Sequence, residues 1–392
     1  MNKFLYLKGG SEKYVFDLAE ILRRNGHQIE FFGMEDSKNI VETPKEELVK
    51  NIDFHRKSFS MIFYPLKIIY SREARQKMGK MIRRFHPDIV HLNNYNFQIT
   101  PSILYELKAH KIPALQTLHD PLLVCPAHLL YNSRTGTICE KCKGRKYLNC
   151  LKSRCIHGSL SRSALGMVEA YLYDKLKTYD YIQQFICPSR FLANKMVDFG
   201  VNPEKVMVVP NFISSETYNK IPRERNYFLY FGRLSKEKGI STLLLAIKAL
   251  PHIRFAIAGS GPLENLMNEM TNVAWVGFKY GEELKELICG SIATICPSEW
   301  YENSPMSILE SLALGIPVIG ANIGGIPELI QDKSNGLLFE PGNINDLVDK
   351  IEYFYKRKDQ MDIYSENCIE SSAHLSADRY YEKIMSIYEN AI

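Results

Sequence analysis

Residues 297–310 read Pro297-Ser298-Glu299-Trp300-Tyr301-Glu302-Asn303-Ser304-Pro305-Met306-Ser307-Ile308-Leu309-Glu310, and the reading of this stretch decides the fold. It follows Ile292–Cys296, a short apolar run of the kind that forms a buried strand, and leads into a helical pattern over 304–315. Pro305 fits the first helical turn, where its missing N–H costs nothing. The free backbone N–H groups between Asn303 and Met306 then point out of the helix start and offer a site for an anion or a hydroxyl. Glu302 lies in the loop, and Glu310 lies eight positions later on the helix, facing the same way about two turns further on. A carboxylate beside the apolar run Ser311–Gly315 needs hydrogen-bond partners, and a ribose offers two hydroxyls. Taken alone, both acids also fit ordinary exposed positions.

The same strand–loop–helix unit recurs on either side. In the C-terminal half the predicted strands are Tyr227–Phe231, Ile253–Ala258, Val273–Val276, Ile292–Cys296, Pro317–Gly320 and Gly336–Phe339, with helical patterns between them. In the N-terminal half they are Phe4–Leu7, Ile29–Phe32, Asp88–Leu92, Ala114–Leu118 and Tyr181–Cys187. Alternation of this kind implies parallel sheets covered on both faces. A chain of 392 residues exceeds one ordinary core, so two Rossmann-like, doubly wound α/β domains are expected to face each other across a cleft. The expected boundaries are 1–209 for the N-terminal domain, with a cysteine-rich insertion at about 125–157, and 210–375 for the C-terminal domain. Residues 209–222 are the natural linker, and 376–392 are expected to form a helix packed back on the N-terminal domain. Ligands of open α/β sheets bind beyond the carboxyl ends of the strands. The turns Gly9-Gly10, Gly232, Gly259-Ser260-Gly261 and Gly324-Gly325 all fall there.

Two of those turns carry candidate phosphate contacts. Gly9-Gly10 lets the backbone approach an anion at a helix start, although the full GxGxxG spacing is absent, which argues against a nicotinamide cofactor. Arg233 and Lys238 follow the first strand of the second domain and suit a phosphate as a fork and a point charge; as solvated surface charges they would carry no function.

At this point the chain resembles the GT-B glycosyltransferases, and in particular the large retaining family 4. Glu302 and Glu310 match the E-x7-E motif, within YENSPMSILESLALGIPVIGANIGGIPELI. Further matches occur in order: Gly9-Gly10-Ser11-Glu12, His119-Asp120, PSRF at 188–191, VVPNFI at 208–213, FGRLSKEKGI at 231–240, AGSGP at 258–262 and GLLFEPGN at 336–343. Phe212, where many relatives carry a glycine after Pro-Asn, is a departure. The resemblance implies a GT-B fold and transfer of a sugar from a UDP- or GDP-sugar to a saccharide or lipid-linked acceptor in bacterial surface polysaccharide or glycolipid assembly. It also implies roles. Gly10 would donate a backbone N–H to the donor diphosphate, and Arg233 and Lys238 would neutralise it. Glu302 and His119 would contact the donor sugar at the reacting carbon, the backbone of Asn303, Ser304, Pro305 and Met306 would support sugar and phosphate, and Glu310 would hold the ribose. No DxD-type motif is placed to hold a cation, so transfer is expected to need no metal cofactor. The rival expectations are a nucleotide-sugar epimerase of related architecture and a non-catalytic nucleotide-sugar-binding protein.

Composition adds context. A hydrophobic share of 45% and a charged share of 24% are ordinary for a soluble globular protein, and no run of 18 apolar residues or signal-type start is present. A cytoplasmic protein is expected. Residues 1–210 hold 32 Lys and Arg against 20 acids, whereas the remainder holds 17 against 24, so one half is suited to an anionic surface. Residues 56–84 carry nine Lys and Arg, one acid and interleaved aromatics, consistent with a peripheral contact to anionic lipid on the inner membrane face or with an ordinary solvated helix face. No nucleic-acid-binding motif is present. Finally, Cys139, Cys142, Cys150 and Cys155, with Cys125 upstream and His157 nearby, have ligand-like spacing. A structural zinc with four cysteine ligands is the expectation, against free thiols or an iron–sulfur cluster.

Overall fold

The computed structural model describes residues 1–51, 64–213 and 224–392. The expected linker from 214 onward and residues 56–63 of the basic stretch lie outside the described residues. Elements are numbered in chain order. In the N-terminal half they are α1 (Gly10–Arg24), α2 (Tyr64–Ile69), α3 (Arg72–Phe85), β1 (Val90–Leu92), α4 (Ser102–Ala109), β2 (Ala114–Thr117), β3 (Tyr131–Asn132), β4 (Thr137–Ile138), α5 (Leu148–Ser153), α6 (Leu160–Lys175), β5 (Gln184–Cys187), α7 (Arg190–Asp198) and β6 (Val206–Val208). The C-terminal half continues with β7 (Tyr227–Phe231), α8 (Ile240–Ala249), β8 (Phe255–Ala258), β9 (Val273–Gly277), α9 (Gly281–Cys289), β10 (Ser291–Cys296), α10 (Met306–Ala313), β11 (Val318–Ala321), β12 (Gly336–Phe339), α11 (Ile344–Tyr355), α12 (Met361–Ser372) and α13 (Ala377–Glu389).

The C-terminal sheet has the order β12-β11-β10-β7-β8-β9, and every pairing is parallel. Its central strands are apolar without alternation: all six residues of β10 and all four of β8 and β11 are buried. A strand reads this way when helices cover both faces of its sheet. The chain direction of winding reverses between the neighbours β7 and β10. A crevice opens at such a switch point beyond the carboxyl ends of the strands, and there it lies between Phe231 and Cys296.

The N-terminal sheet has four parallel strands in the order β1-β2-β5-β6. Two expected strands differ. Neither Phe4–Leu7 nor Ile29–Phe32 forms one. The chain instead pairs further upstream through single hydrogen bonds, Lys3 N to Asn94 O, Asn2 N to Phe32 O and Met34 N to Lys3 O. Leu5 is fully buried while Leu7 is half exposed, so the chain has already left the sheet where the apolar run suggested it continued. The cysteine-rich segment forms the antiparallel β3–β4 hairpin and α5, which packs on α6.

Helix α13 returns to the N-terminal half and packs on α1. Its Tyr380, Ile384 and Tyr388 join Tyr14, Leu18 and Phe212 in one core cluster. The Tyr14 hydroxyl bonds both Tyr380 and Thr117 at the end of β2. Because the Tyr380 ring is buried against Tyr14 and Phe212, Tyr380→Ala is expected to cost about 3–5 kcal/mol of stability. Urea denaturation reads this directly; a loss below about 1 kcal/mol would show that α13 is not a structural part of the N-terminal core.

Candidate active site

The site assembles where the switch point of the C-terminal sheet meets the carboxyl edge of the N-terminal sheet. After β7 the chain turns through 236–239 and passes so close to the loop after β10 that a Cβ on Gly239, at φ +72°, would lie 1.8 Å from the Pro297 carbonyl. Only glycine allows that approach. It delivers Lys238 to Glu302, with Nζ donating to Oε1 at 2.6 Å. The Ser298 hydroxyl (2.6 Å) and the Trp300 indole N–H (2.8 Å) donate to the same oxygen. Burial opposes ionisation of Glu302, but the Lys238 charge and these donors outweigh it and hold its carboxyl below the usual value. Burial likewise opposes the Lys238 charge, and Glu302 reverses the balance and raises its pKa. The pair is therefore ionised, pre-oriented and partly desolvated.

Asn303 joins the two halves. Its Nδ2 donates to the Leu118 carbonyl at 2.9 Å, and its Oδ1 accepts from the Ser189 hydroxyl at 2.6 Å. Leu118 follows β2 and Ser189 follows β5, which are adjacent strands. The backbone around Asn303 is equally fixed. Gly325 N donates to Glu302 O at 2.7 Å, Asn211 Nδ2 donates to Ser304 O at 3.1 Å, and a Cβ on Gly325 would sit 1.8 Å from Asn303 O. A second link lies nearby: both carboxylate oxygens of Glu328 accept the first backbone N–H groups of α7, from Arg190 (2.8 Å) and Phe191 (2.6 Å). A third is Tyr301, whose hydroxyl donates to Glu140 at 2.8 Å while Lys195 donates to the same oxygen.

His119 follows Leu118 directly. Its Nε2 bonds Asn93 Oδ1 at 2.8 Å, which makes Nε2 the protonated nitrogen, and its ring meets the edge of Tyr14 at 5.0 Å. Burial pushes its pKa down to about 4, so the imidazole is neutral at pH 7. Beside it, burial pushes the Asp120 carboxyl up to about 7, with Lys3 pulling the other way, and Asp120 Oδ1 has no hydrogen-bond partner among the described residues. The Ser304 hydroxyl, between Glu302 and α10, is also buried without a partner among the described residues.

The remaining candidates flank this centre. Gly10, at the start of α1, faces the start of α10 so closely that a Cβ would touch Met306 Cγ at 3.2 Å. The two helix N-termini thus converge, with Pro305 as the residue before the first turn of α10. Arg233 is exposed and only loosely paired with Glu237 at 3.8 Å, and it lies near enough to Lys8 for their charges to interact. Glu310 is buried on α10 and lines a cavity of about 930 Å³ between α1 and α9, together with Phe16, Tyr280, Leu284 and Ile288. That cavity does not include Glu302 or Lys238, so the candidates form a polar crevice and an adjoining apolar chamber. The structure adds Ser298, Trp300, Ser189 and Glu328 to those read from the sequence. Ser298 and Trp300 stand in the opening stretch itself, and Ser189 in PSRF; Glu328 carried no signal, because its partners are backbone groups of a distant helix.

The zinc expectation is not supported. Among the described residues no three His, Cys, Asp or Glu side chains are arranged to hold a metal ion. Cys142, Cys150 and Cys155 instead pack with Tyr147 as a buried apolar cluster, and Cys139 is partly exposed. Cys150 and Cys155 interact directly, and the Cys150 thiol holds the Cys155 thiol below its usual value.

Two facing parallel α/β sheets with a crevice at the switch point form the GT-B architecture of glycosyltransferases, and the comparisons with known proteins agree. The glycosyltransferase family 4 model matches residues 8–217 and the glycosyl transferases group 1 model matches 214–371. The chain belongs to glycosyltransferase family 4. It is 22% identical over 352 residues to an uncharacterised glycosyltransferase of Methanocaldococcus jannaschii, covering 86% of this chain and 82% of that one. It is 24% identical to the amylovoran biosynthesis glycosyltransferase AmsK of Erwinia amylovora over 66% of each chain, and 33% identical to the sulfoquinovosyl transferase SQD2 of Arabidopsis thaliana, there over only 36% of this chain and 29% of the plant protein. Its fold matches the sucrose-phosphate synthase of Thermosynechococcus elongatus with a TM-score of 0.73 at 16% identity, over 100% of this chain and 95% of that one. The Anabaena protein HepE, solved with UDP and glucose, matches at 0.66 and 16% identity, over 99% and 98%.

Two outcomes follow for this site. Asn303→Ala removes the amide that spans both sheets while leaving Glu302 and Lys238 in place, and is expected to lower kcat by about 10²-fold through misplacement on the order of 1 Å; unchanged kcat would contradict the bridging role. Asp120 keeps its proton longer in the folded protein than in the unfolded chain, so its contribution to stability declines as pH rises from 3.8 to about 7 and is constant above that. Stability against pH, read by chemical denaturation, should therefore lose that downward slope in Asp120→Asn; an identical slope would exclude the assignment.

Proposed function

We propose that the protein is a retaining hexosyltransferase that uses a UDP- or GDP-sugar and glycosylates a saccharide or lipid-linked acceptor, in the assembly of a bacterial surface polysaccharide or glycolipid. One observation carries this reading: the Glu302 carboxylate, oriented by Lys238, Ser298 and Trp300, belongs to the same rigid loop whose Asn303 grips the backbone next to His119. Relatives described by their names as acting in amylovoran and teichuronic acid biosynthesis support the acceptor class, and HepE, solved with UDP and with UDP-glucose, supports a uridine donor.

In this reading residues 210–375 bind the donor and residues 1–209, with the returning helix of 376–392, receive the acceptor. The leaving diphosphate lies between the converging N-termini of α1 and α10. The N–H of Gly10 and the backbone of Asn303, Ser304, Pro305 and Met306 face it, and Arg233 with the remaining N–H donors of Lys238 neutralise it. Glu310 takes the ribose hydroxyls at the edge of the chamber. Glu302 and neutral His119 hold sugar hydroxyls on either side of the anomeric carbon. The bond from that carbon to the phosphate oxygen breaks while the acceptor oxygen attacks on the same face, and the acceptor proton passes to the departing phosphate. The charges that stabilise this departure belong to the chain itself, so no metal cofactor is invoked.

The test is release of free nucleoside diphosphate from a panel of UDP-, GDP- and ADP-sugars, preceded by a thermal-shift screen to select the donor. Glu302→Ala is expected to cut turnover by about 10²–10³-fold with the fold intact. Glu310→Gln is expected mainly to weaken donor binding, by roughly 1–3 kcal/mol. Formation of an isomeric nucleotide sugar would make the protein an epimerase, and a thermal shift without turnover would make it a binding protein. Wild-type rates in both variants would overturn the residue assignments.

A further inference from the structure

Helix α6 has its polarity turned outside in. Its buried face carries Ser163, Gly166, Glu169 and Tyr173. Its solvent face carries Leu160 (54% exposed), Val168 (45%) and Leu172 (37%), and the row continues into Leu176 (55%) just past the helix end. Spaced at multiples of four residues, these positions follow one slanting ridge of the helix surface, which turns about 40° per step. Tyr171 and, from α5, Leu148 extend the exposed patch, and the Leu148 N–H bonds the Tyr171 hydroxyl, which ties the two helices together. Among the described residues, no packing partner covers the exposed Leu160, Val168, Leu172 and Leu176 on this helix that buries a glutamate. Exposed apolar surface of that continuity marks a contact with something else.

The surrounding charge identifies the class of partner. Residues 141–177 contain nine Lys and Arg and two acids. Of the acids, Glu169 is buried and Asp174 is paired with Arg145 at 3.2 Å. Lys152, Arg154, Arg162, Lys175 and Lys177 are all exposed around the apolar row. Aliphatic side chains within a cationic rim are the chemistry of a helix lying in an anionic lipid surface. The described part of the basic stretch at 56–84 is less suited, because Arg75 is spent on Glu106, Lys77 on Glu73 and Arg84 on Glu30 and Glu47.

We propose that the outer face of α5 and α6 is a membrane-docking surface for anionic phospholipid, with Leu160, Val168, Leu172 and Leu176 entering the acyl boundary and the flanking cations meeting headgroups. The surface includes α5 of the cysteine-rich insertion, and the insertion touches the loop of Glu302 through Glu140 and Tyr301. It deepens the proposed function by making the acceptor one presented at a bilayer, and it rests on that reading only for its biological purpose.

The experiment is co-sedimentation of the full chain with vesicles of phosphatidylcholine alone and of phosphatidylcholine mixed with phosphatidylglycerol. Donor hydrolysis without acceptor and the oligomeric state are measured in parallel. Binding is expected only to the anionic vesicles, weakening as salt rises. The double variant Val168→Asp/Leu172→Asp is expected to lose at least about tenfold in vesicle affinity while donor hydrolysis is unchanged. Absence of vesicle binding, equal binding to neutral vesicles, or equal binding by the variant overturns the proposal. So does a wild-type dimer that the variant dissolves, which assigns the face to a second copy. Vesicle binding without any turnover of nucleotide sugar would leave the docking surface standing and refute the proposed function instead.

Discussion

The carboxamide of Asn303 spans the boundary between the two sheets. Its nitrogen is bound to the carbonyl beyond β2 and its oxygen to the hydroxyl beyond β5, while its backbone continues the loop that leaves β10. These two bonds, with the links from Glu328 to α7 and from Tyr301 to Glu140, hold the carboxyl edges of the two sheets against each other. Everything chemical in the crevice depends on that register. Glu302 is one residue before Asn303 and His119 is one residue after Leu118, so the bond from Asn303 to Leu118 ties the two candidate residues together across the boundary. The glycine at 325 serves the same constraint, because any side chain there would push the Asn303 carbonyl out of place.

Within that frame the electrostatics divide by side. The C-terminal wall is ionised: Lys238 and Glu302 neutralise each other at close range, and the donors from Ser298 and Trp300 prevent the carboxylate from paying the full cost of burial. The N-terminal wall is neutral at pH 7 around His119, and Asp120 sits at the edge of ionisation. An anionic leaving group is met by the first wall and by two helix starts. On the proposed reading, an acceptor hydroxyl would meet the neutral imidazole of His119 at the second wall.

Much of this was legible in the sequence, and the reasons differ by element. The buried strands β8 and β11 announce themselves as unbroken apolar runs, and β10 as one interrupted only by Thr294 after Ser291, because helices cover both sides of the sheet. The E-x7-E stretch declared its helix start through Pro305 and its two acids through their spacing. Phe4–Leu7 misled, since an apolar run does not say at which residue the chain leaves the sheet, and the pairing lies upstream at Asn2 and Lys3. The cysteine spacing suggested ligands, yet the folded segment packs three of those thiols as core and pairs Cys150 with Cys155. The role of Asn303 as a bridge, and that of Glu328 as a cap on α7, were hidden because their partners lie more than a hundred positions away and are largely backbone atoms.

The register of the two sheets is best tested by a double-mutant cycle between Ser189→Ala and Asn303→Ala, with single-turnover sugar transfer as the readout. If the Ser189–Asn303 bond holds the walls in place, the two losses will overlap, with a coupling of about 1–2 kcal/mol, and the double variant will be little worse than Asn303→Ala. Strictly additive losses would show that the two residues act independently and would contradict the account.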